Sequence, residues 1–373
     1  MVAASTSPVW TEINLAALRH NVGVLRRRLP TRTRLLAVVK ADGYGHGATP
    51  IAVEALRAGA WGLAVARVQE GVHLRRAGVE APILVLGYAA EPELPLVIQH
   101  ELAATVSGWR TALALSALAA ALGRTARLHL KVDTGMRRYG VPVEEARRFV
   151  AAVRDLPAVL VEGLYTHYAT ADEPESATLE RQSRLFADLV RSLSADGLRP
   201  DVVHAANSAA VVAGIDIGYD AVRTGIALYG VQPSKSFELD LQPVMSLKAR
   251  VGRVLDVHVG DGVSYGHDYL ADTEMRAAVV TCGYADGYMR SLGGRGEVLI
   301  AGRRCPILGR VCMDSLVVRL PDKVEVAEGC EAVLLGRQGA ELVKAEELAE
   351  CAGTIAYELL CGMGMRAERV YLG

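Results

Sequence analysis

Eight short apolar runs, each rich in Val, Leu and Ala and separated by helical patterns, constrain the fold of this 373-residue chain more than any other feature. They fall at Leu35–Lys40, Trp61–Ala66, Pro82–Leu86, Leu102–Val106, Leu128–Val132, Leu160–Tyr165, Val202–Ala206 and Ala221–Ala227. Such runs show little polar alternation, which marks strands covered on both faces, as in parallel sheets flanked by helices. The first intervening helix is typical: Asn14 can cap it, Leu15, Leu18, Val22 and Leu25 form its apolar stripe, and Pro30 stops it. Eight successive βα units predict an α/β fold, a (β/α)8 TIM-type barrel over residues 12–240. Beyond about Leu241 the pattern becomes short and alternating, as in Ala249–His258, with turns at Asp261-Gly262, Gly293-Gly294 and Gly302. Residues 241–373, joined by 1–11, are therefore assigned to a separate, mostly-β domain.

Parallel barrels keep their chemistry at the carboxyl ends of the strands. Polar residues stand at that end of the first strand (Lys40), the fifth (Lys131, Asp133), the sixth (His167), the seventh (His204 to Ser208) and the eighth (Arg223 to Ile226). Lys40 is followed by Ala-Asp-Gly-Tyr-Gly-His-Gly, whose glycines permit a sharp turn or close approach to a ligand. A lone lysine there reads as a snorkelling side chain, and a lone histidine as a satisfied core residue. Their shared position is what those readings leave unexplained. Asn207-Ser208 and Thr224-Gly225-Ile226 also follow the seventh and eighth strands, where barrels hold phosphate through backbone N–H groups. A rim lysine beside a phosphate cradle points to pyridoxal 5'-phosphate, bound as a Schiff base on the amine.

Composition narrows the partners. Lys and Arg number 41 against 42 Asp and Glu, a net charge of −1, so no basic field argues for nucleic acid or a membrane surface. A small-molecule partner is expected. The start Met-Val-Ala-Ala-Ser-Thr-Ser-Pro has no signal-peptide pattern, and the most apolar helix, near Ala112–Leu122, is too short to span a bilayer, so a cytoplasmic location is expected. Cysteines 282, 305, 312, 330, 351 and 361 show no metal-ligand spacing and read as reduced, mostly buried residues; no metal is expected.

Eight stretches, in order AVVKADGYGHGA, LKVDTGMRRYG, THYATADE, HAANSAA, VRTGIALYG, VSYGHDY, GYADG and GRVCMD, together make the chain resemble the bacterial alanine racemases, fold-type III pyridoxal-phosphate enzymes, over essentially its whole length. The resemblance implies a homodimer, arranged head to tail, that interconverts L-alanine and D-alanine and supplies D-alanine for peptidoglycan. It implies that Lys40 carries the cofactor and that Tyr44, Ser208, Gly225, Ile226 and Tyr357 hold its phosphate. Arg138 would contact the cofactor's phenolic oxygen and the substrate carboxylate, with Met313 adding a backbone N–H to that carboxylate and Tyr284 acting as a gate. Inverting an α-carbon needs a proton removed from one face and returned on the other, and the resemblance gives these tasks to Lys40 and to Tyr265 of the neighbouring subunit, with His167, His204 and Arg223 around the cofactor. Arg223 replaces the carboxylate that many such enzymes place beside the pyridine nitrogen. An arginine keeps its proton, leaves that nitrogen unprotonated and makes the ring a weaker electron sink. Lys131 resembles a lysine that is commonly carbamylated; an ion pair with an acidic neighbour is the plainer alternative.

Other classes fit less well. A non-catalytic pyridoxal-phosphate carrier lacks the β domain, and a fold-type III decarboxylase is expected to have an acidic residue where Arg223 stands. Serine or broad-specificity racemisation is the nearest competitor, since one hydroxyl or methylene changes discrimination by only about 1–3 kcal/mol. Two departures from the family pattern stand out: Ala367-Glu368 replaces the usual Val-Pro, and Asp268 stands where threonine is common, three residues after Tyr265.

Overall fold

The eight apolar runs form eight parallel strands, Arg34–Val38, Gly62–Val65, Ile83–Val85, Ala103–Val106, Ala126–Asp133, Val159–Tyr165, Val202–His204 and Ala221–Thr224. They pair in chain order, and the eighth returns to the first through Ala221↔Arg34 to Thr224↔Ala37, closing the barrel. The computed structural model describes residues 5–173 and 175–373. Leu128, Leu130, Leu164, Val203 and Ala37 are almost fully buried, which accounts for the unbroken apolar runs in the sequence. Helices cover the outside. The first, Leu15–Arg28, starts where Asn14 Oδ1 accepts the Ala17 N–H at 2.9 Å, and it buries Leu18, Val22 and Leu25 while Leu15 stays half-buried.

A second, nine-stranded sheet contains no barrel strand. Its long strand Met245–Val257 pairs antiparallel with Val9–Asn14, which in turn pairs parallel with Glu368–Leu372. The amino-terminal strand thus runs past residue 12 into residues read as barrel, because Trp10, Thr11 and Ile13 are buried where it lies between Met245–Val257 and Glu368–Leu372. Two helices, Ala345–Ala352 and Ala356–Gly362, interrupt the β pattern. The second lies against the barrel mouth: a Cβ on Gly45 would stand 2.4 Å from the Leu360 carbonyl oxygen, so only glycine fits there. Asp261 closes a turn onto the His258 carbonyl, and Gly262 begins the short strand Gly262–Val263. All six cysteines are free; Cys282 and Cys305 are buried, whereas the other four are only partly so. Among the described residues no helix is long and apolar enough to cross a membrane.

Candidate active site

Lys40 leaves the first strand on an unusual turn. Ala41, Asp42, Gly43, Tyr44 and Gly45 all have positive φ, between 52° and 83°. Left-handed backbone costs a non-glycine residue about 1–2 kcal/mol, so the turn needs external support. Glu70 supplies part of it, accepting the Ala41 N–H at 2.7 Å and those of Ala66 and Arg67 at 2.7 and 2.9 Å. Asp42 supplies more, accepting the Ala48 N–H at 2.8 Å and pairing with Arg369 at 2.8 Å. Tyr44 is thereby turned inward against Tyr229, ring centroids 4.7 Å apart, with Tyr357 at 6.3 Å. Its hydroxyl lies over Gly225, where a Cβ would come within 2.5 Å of the oxygen.

The cradle around that hydroxyl is assembled from two strand ends. Asn207 caps the short helix Ser208–Ala213 through the Ala210 N–H at 3.0 Å. Ser208 Oγ accepts the Gly225 N–H at 2.8 Å and stands 3.5 Å from that of Ala227. Ser208, Gly225, Ile226 and Tyr44 are all buried and adjoining, and Tyr357 lines the more open side. Converging N–H and hydroxyl groups of this kind can hold an oxyanion.

The floor of the mouth is cationic. Arg223 is fully enclosed and donates to His204 Nδ1 at 2.6 Å, to the carbonyls of Thr166 and Ala205 at 2.8 and 2.9 Å, and to His167 Nδ1 at 3.3 Å. Burial lowers the guanidinium to about 10, still a cation at neutral pH. Burial, with Arg223 beside them, pushes both His204 and His167 well below their ordinary range, so both imidazoles are neutral. The Tyr165 ring stacks on His204 at 4.7 Å and carries Arg223 and Lys131 over it at 5.1 and 5.6 Å. Lys131 is buried and falls to about 8, first through desolvation and then through Arg223 and Arg138. Among the described residues it makes no ion pair, and Asp133 instead faces Arg137. Lys40 is also lowered, by burial and by Arg138, so its amine gives up a proton more readily than a surface lysine.

Tyr265, Tyr284 and Met313 gather along one exposed edge of the β domain. Ser264 Oγ donates to the Arg310 carbonyl at 2.7 Å, the Tyr284 N–H to Cys312 at 3.0 Å, and the Ala285 N–H to Met313 at 3.0 Å, so one segment, Arg310–Met313, positions all three. Arg366 braces the same edge, bonding Asp286 at 2.9 Å and Asp314 at 2.7 Å, and it does so although Ala367-Glu368 follow it. Asp268 forms a two-pronged pair with Arg310, so its charge is neutralised beside Tyr265. Tyr265 is 72% exposed and Met313 53%, and among the described residues no hydrogen bond or ion pair joins Tyr265, Tyr284 or Met313 to Lys40, Arg138 or Lys131. The structure also engages residues that sequence reading passed over. His129 and Glu162 lie behind His204, and Arg127 behind them. His129 shares the strand face of Lys131 two residues on, the one signal that pointed to it.

The chain is similar to known proteins over nearly its full length. The alanine racemase N-terminal domain family matches residues 13–233 and the alanine racemase C-terminal domain family residues 244–371. An alanine racemase of Symbiobacterium thermophilum is 45% identical over 368 residues, covering 98% of this chain and 97% of that protein. The crystal structure of alanine racemase from D-cycloserine-producing Streptomyces lavendulae matches with a TM-score of 0.93 at 40% identity, covering 99% and 98% of the two chains. That of Bacillus anthracis alanine racemase with bound L-Ala-P matches with a TM-score of 0.91 at 39% identity, covering 100% and 96%. A closed parallel barrel bearing a rim lysine, joined to a β domain matched along its own length, identifies the chain as a member of the alanine racemase family.

Proposed function

We propose that this protein interconverts L-alanine and D-alanine at the barrel mouth with pyridoxal phosphate held on Lys40, and that two chains, head to tail, complete each site. One observation carries the proposal. A desolvated lysine, an N–H and hydroxyl cradle and a buried arginine converge on one mouth, a donor set that suits an aldehyde, a phosphate and a pyridine nitrogen respectively. When bound, the cofactor makes the substrate's α-proton acidic by withdrawing electrons into its ring.

The remaining work falls to side chains. Tyr44, Ser208, Tyr357 and the N–H groups of Gly225 and Ile226 anchor the phosphate. Arg223, locked by five acceptors, the fifth being the His204 carbonyl at 3.3 Å, donates to the pyridine nitrogen without protonating it. Arg138 binds the substrate carboxylate; its charge already bears on Lys40 and Lys131. Lys131 is suited to carbamylation, because an amine lowered to about 8 has a substantial neutral fraction and an added carboxylate would relieve a cluster of cations. Lys40, with its amine favoured neutral, moves the proton on one face. Tyr265 of the partner chain moves it on the other. The support for a partner is that Tyr265, Leu270, Tyr284 and Met313 are exposed on the β domain, and that among the described residues no hydrogen bond or ion pair ties Tyr265 to its own chain's Lys40. In this reading residues 12–240 bind the cofactor, and 1–11 with 241–373 serve the neighbour's site. The setting proposed is the cytoplasm, where the product would feed peptidoglycan precursors.

The testing experiment is racemisation of single L-amino acids followed by chiral chromatography. Alanine should be inverted far faster than serine or basic amino acids. A preference for another residue, or carbon dioxide release from a basic amino acid, would overturn the proposal.

A further inference from the structure

Barrel interiors are normally filled by branched apolar side chains. The face of the fifth strand that carries Lys131 instead reads Arg127, His129, Lys131, Asp133. His129 Nδ1 stands 2.9 Å from His204 Nε2 on the seventh strand, and His129 Nε2 stands 3.5 Å from Glu162 on the sixth. Glu162 in turn receives Arg127 through two nitrogens. A row of polar groups therefore runs down the barrel from Arg223 through His204, His129 and Glu162, all buried, to Arg127, which reaches solvent near the strand's start.

Two features of the backbone accommodate this row. Leu128 pairs with Val161 but His129 pairs with Gly163, so Glu162 is the extra residue of a bulge, a device that re-aims a side chain. Gly163 leaves room for the imidazole: a Cβ there would lie 2.2 Å from His129 Nδ1.

Donor and acceptor roles along the row follow from its two ends. An arginine only donates, so His204 Nδ1 must be bare where Arg223 Nη1 meets it. The proton of neutral His204 then sits on Nε2 and points at His129 Nδ1, which must also be bare. His129 consequently carries its proton on Nε2, turned toward Glu162 at 3.5 Å, whose carboxylate can only accept. Burial alone would raise the Glu162 carboxyl, but His129 beside it and the two Arg127 hydrogen bonds hold it down to about 2.

We infer that Glu162 and His129 are positioning residues that hold His204 in its Nε2–H form, so that Arg223 keeps an acceptor and stays aimed at the pyridine nitrogen. The inference rests on the reading that Arg223 faces that nitrogen. It makes control of the side reaction, in which alanine leaves as pyruvate and its amino group stays on the cofactor, depend on a carboxylate at the bottom of the barrel.

The test begins with neutron diffraction from the deuterated native holoenzyme, which needs no variant. Deuterium is expected on Nε2 of His204 and of His129; deuterium on Nδ1 of either would overturn the inference. The second arm measures half-transamination relative to racemisation. In Glu162→Gln, Arg127 claims the amide oxygen, so the amide N–H faces His129 and drives both imidazoles to the opposite tautomer. The ratio should rise about tenfold, the factor that about 1.4 kcal/mol of lost hydrogen bonding produces. Adding Arg127→Leu frees the amide to turn its oxygen toward His129, so the double variant should return toward the native ratio, a rescue that a merely structural role would not give. If Arg223→Glu raises the ratio but Glu162→Gln does not, the inference fails and the reading of Arg223 stands. If neither raises it, both fall.

Discussion

Replacing Gly225 with alanine probes the phosphate cradle at its tightest contact. The new Cβ would lie 2.5 Å from the Tyr44 oxygen and 3.2 Å from the carbon that bears it, so the phenol has to retreat by about 1 Å to reach an ordinary contact. It has little room to do so. Tyr44 is 6% exposed, its ring rests on Tyr229, and Tyr229 is pinned by its hydroxyl to the Val38 carbonyl at 3.0 Å. Overpacking of this kind costs about 1–3 kcal/mol. A hydroxyl displaced by that distance loses its bond to the phosphate, and a hydrogen bond to a charged group is worth about 1.5–3 kcal/mol. Affinity for pyridoxal phosphate should therefore fall about ten- to a hundredfold. Titrating the apoenzyme with cofactor and following fluorescence quenching gives the Kd directly. Gly218→Ala is the control, since a Cβ there meets nothing within 4 Å. A Gly225→Ala protein that unfolds as the native one does and binds cofactor within about twofold of native would refute the cradle geometry.

Four further outcomes are expected. Lys131 should show a carbamate carbon signal when the protein is equilibrated with 13C-bicarbonate, and the signal should grow as pH rises through about 8 and vanish in Lys131→Ala. Because Glu162 is held below its unfolded value, its contribution to stability is complete above the ordinary carboxyl range and lost as pH falls toward about 2; Glu162→Gln should flatten the acid limb of a denaturant-midpoint-versus-pH curve. Asp268→Ala should release Arg310 and loosen the turn carrying Tyr265, lowering kcat several-fold while cofactor Kd stays unchanged. Tyr357→Ala should raise kcat/KM for serine relative to alanine, and an unaltered ratio would remove Tyr357 from specificity.

Much of the barrel was legible because its signals are local. Apolar runs, helix stripes and the Asn14 cap are each written within a few residues, and strand-end polarity placed Lys40, His204 and Arg223 at one mouth. The amino-terminal strand is harder to assign to a unit, since Val9–Asn14 is held by partners beyond residue 244 that no local window includes. Tyr265, Tyr284 and Met313 carry no periodic signal either. They are brought together by backbone bonds to Arg310–Met313, and only resemblance to the alanine racemases singled them out. The effect of Asp268 could not be signed from sequence, because its partner Arg310 lies 42 residues away. Glu162 was invisible for another reason: a bulge shifts strand alternation by one, so the rule that sorts inward from outward residues fails at that residue.

The most direct test of a site shared between chains is subunit complementation. Lys40→Ala and Tyr265→Phe proteins, each nearly inactive, are mixed in equal amounts under conditions that exchange subunits. In a mixed dimer one site receives both lesions and the other pairs an intact Lys40 with the partner's intact Tyr265. Random reassortment makes about half of the dimers mixed, so about a quarter of all sites should regain native alanine racemisation. No gain in activity, with mixed dimers verified by native mass spectrometry, would contradict a site built from Lys40 of one chain and Tyr265 of the other.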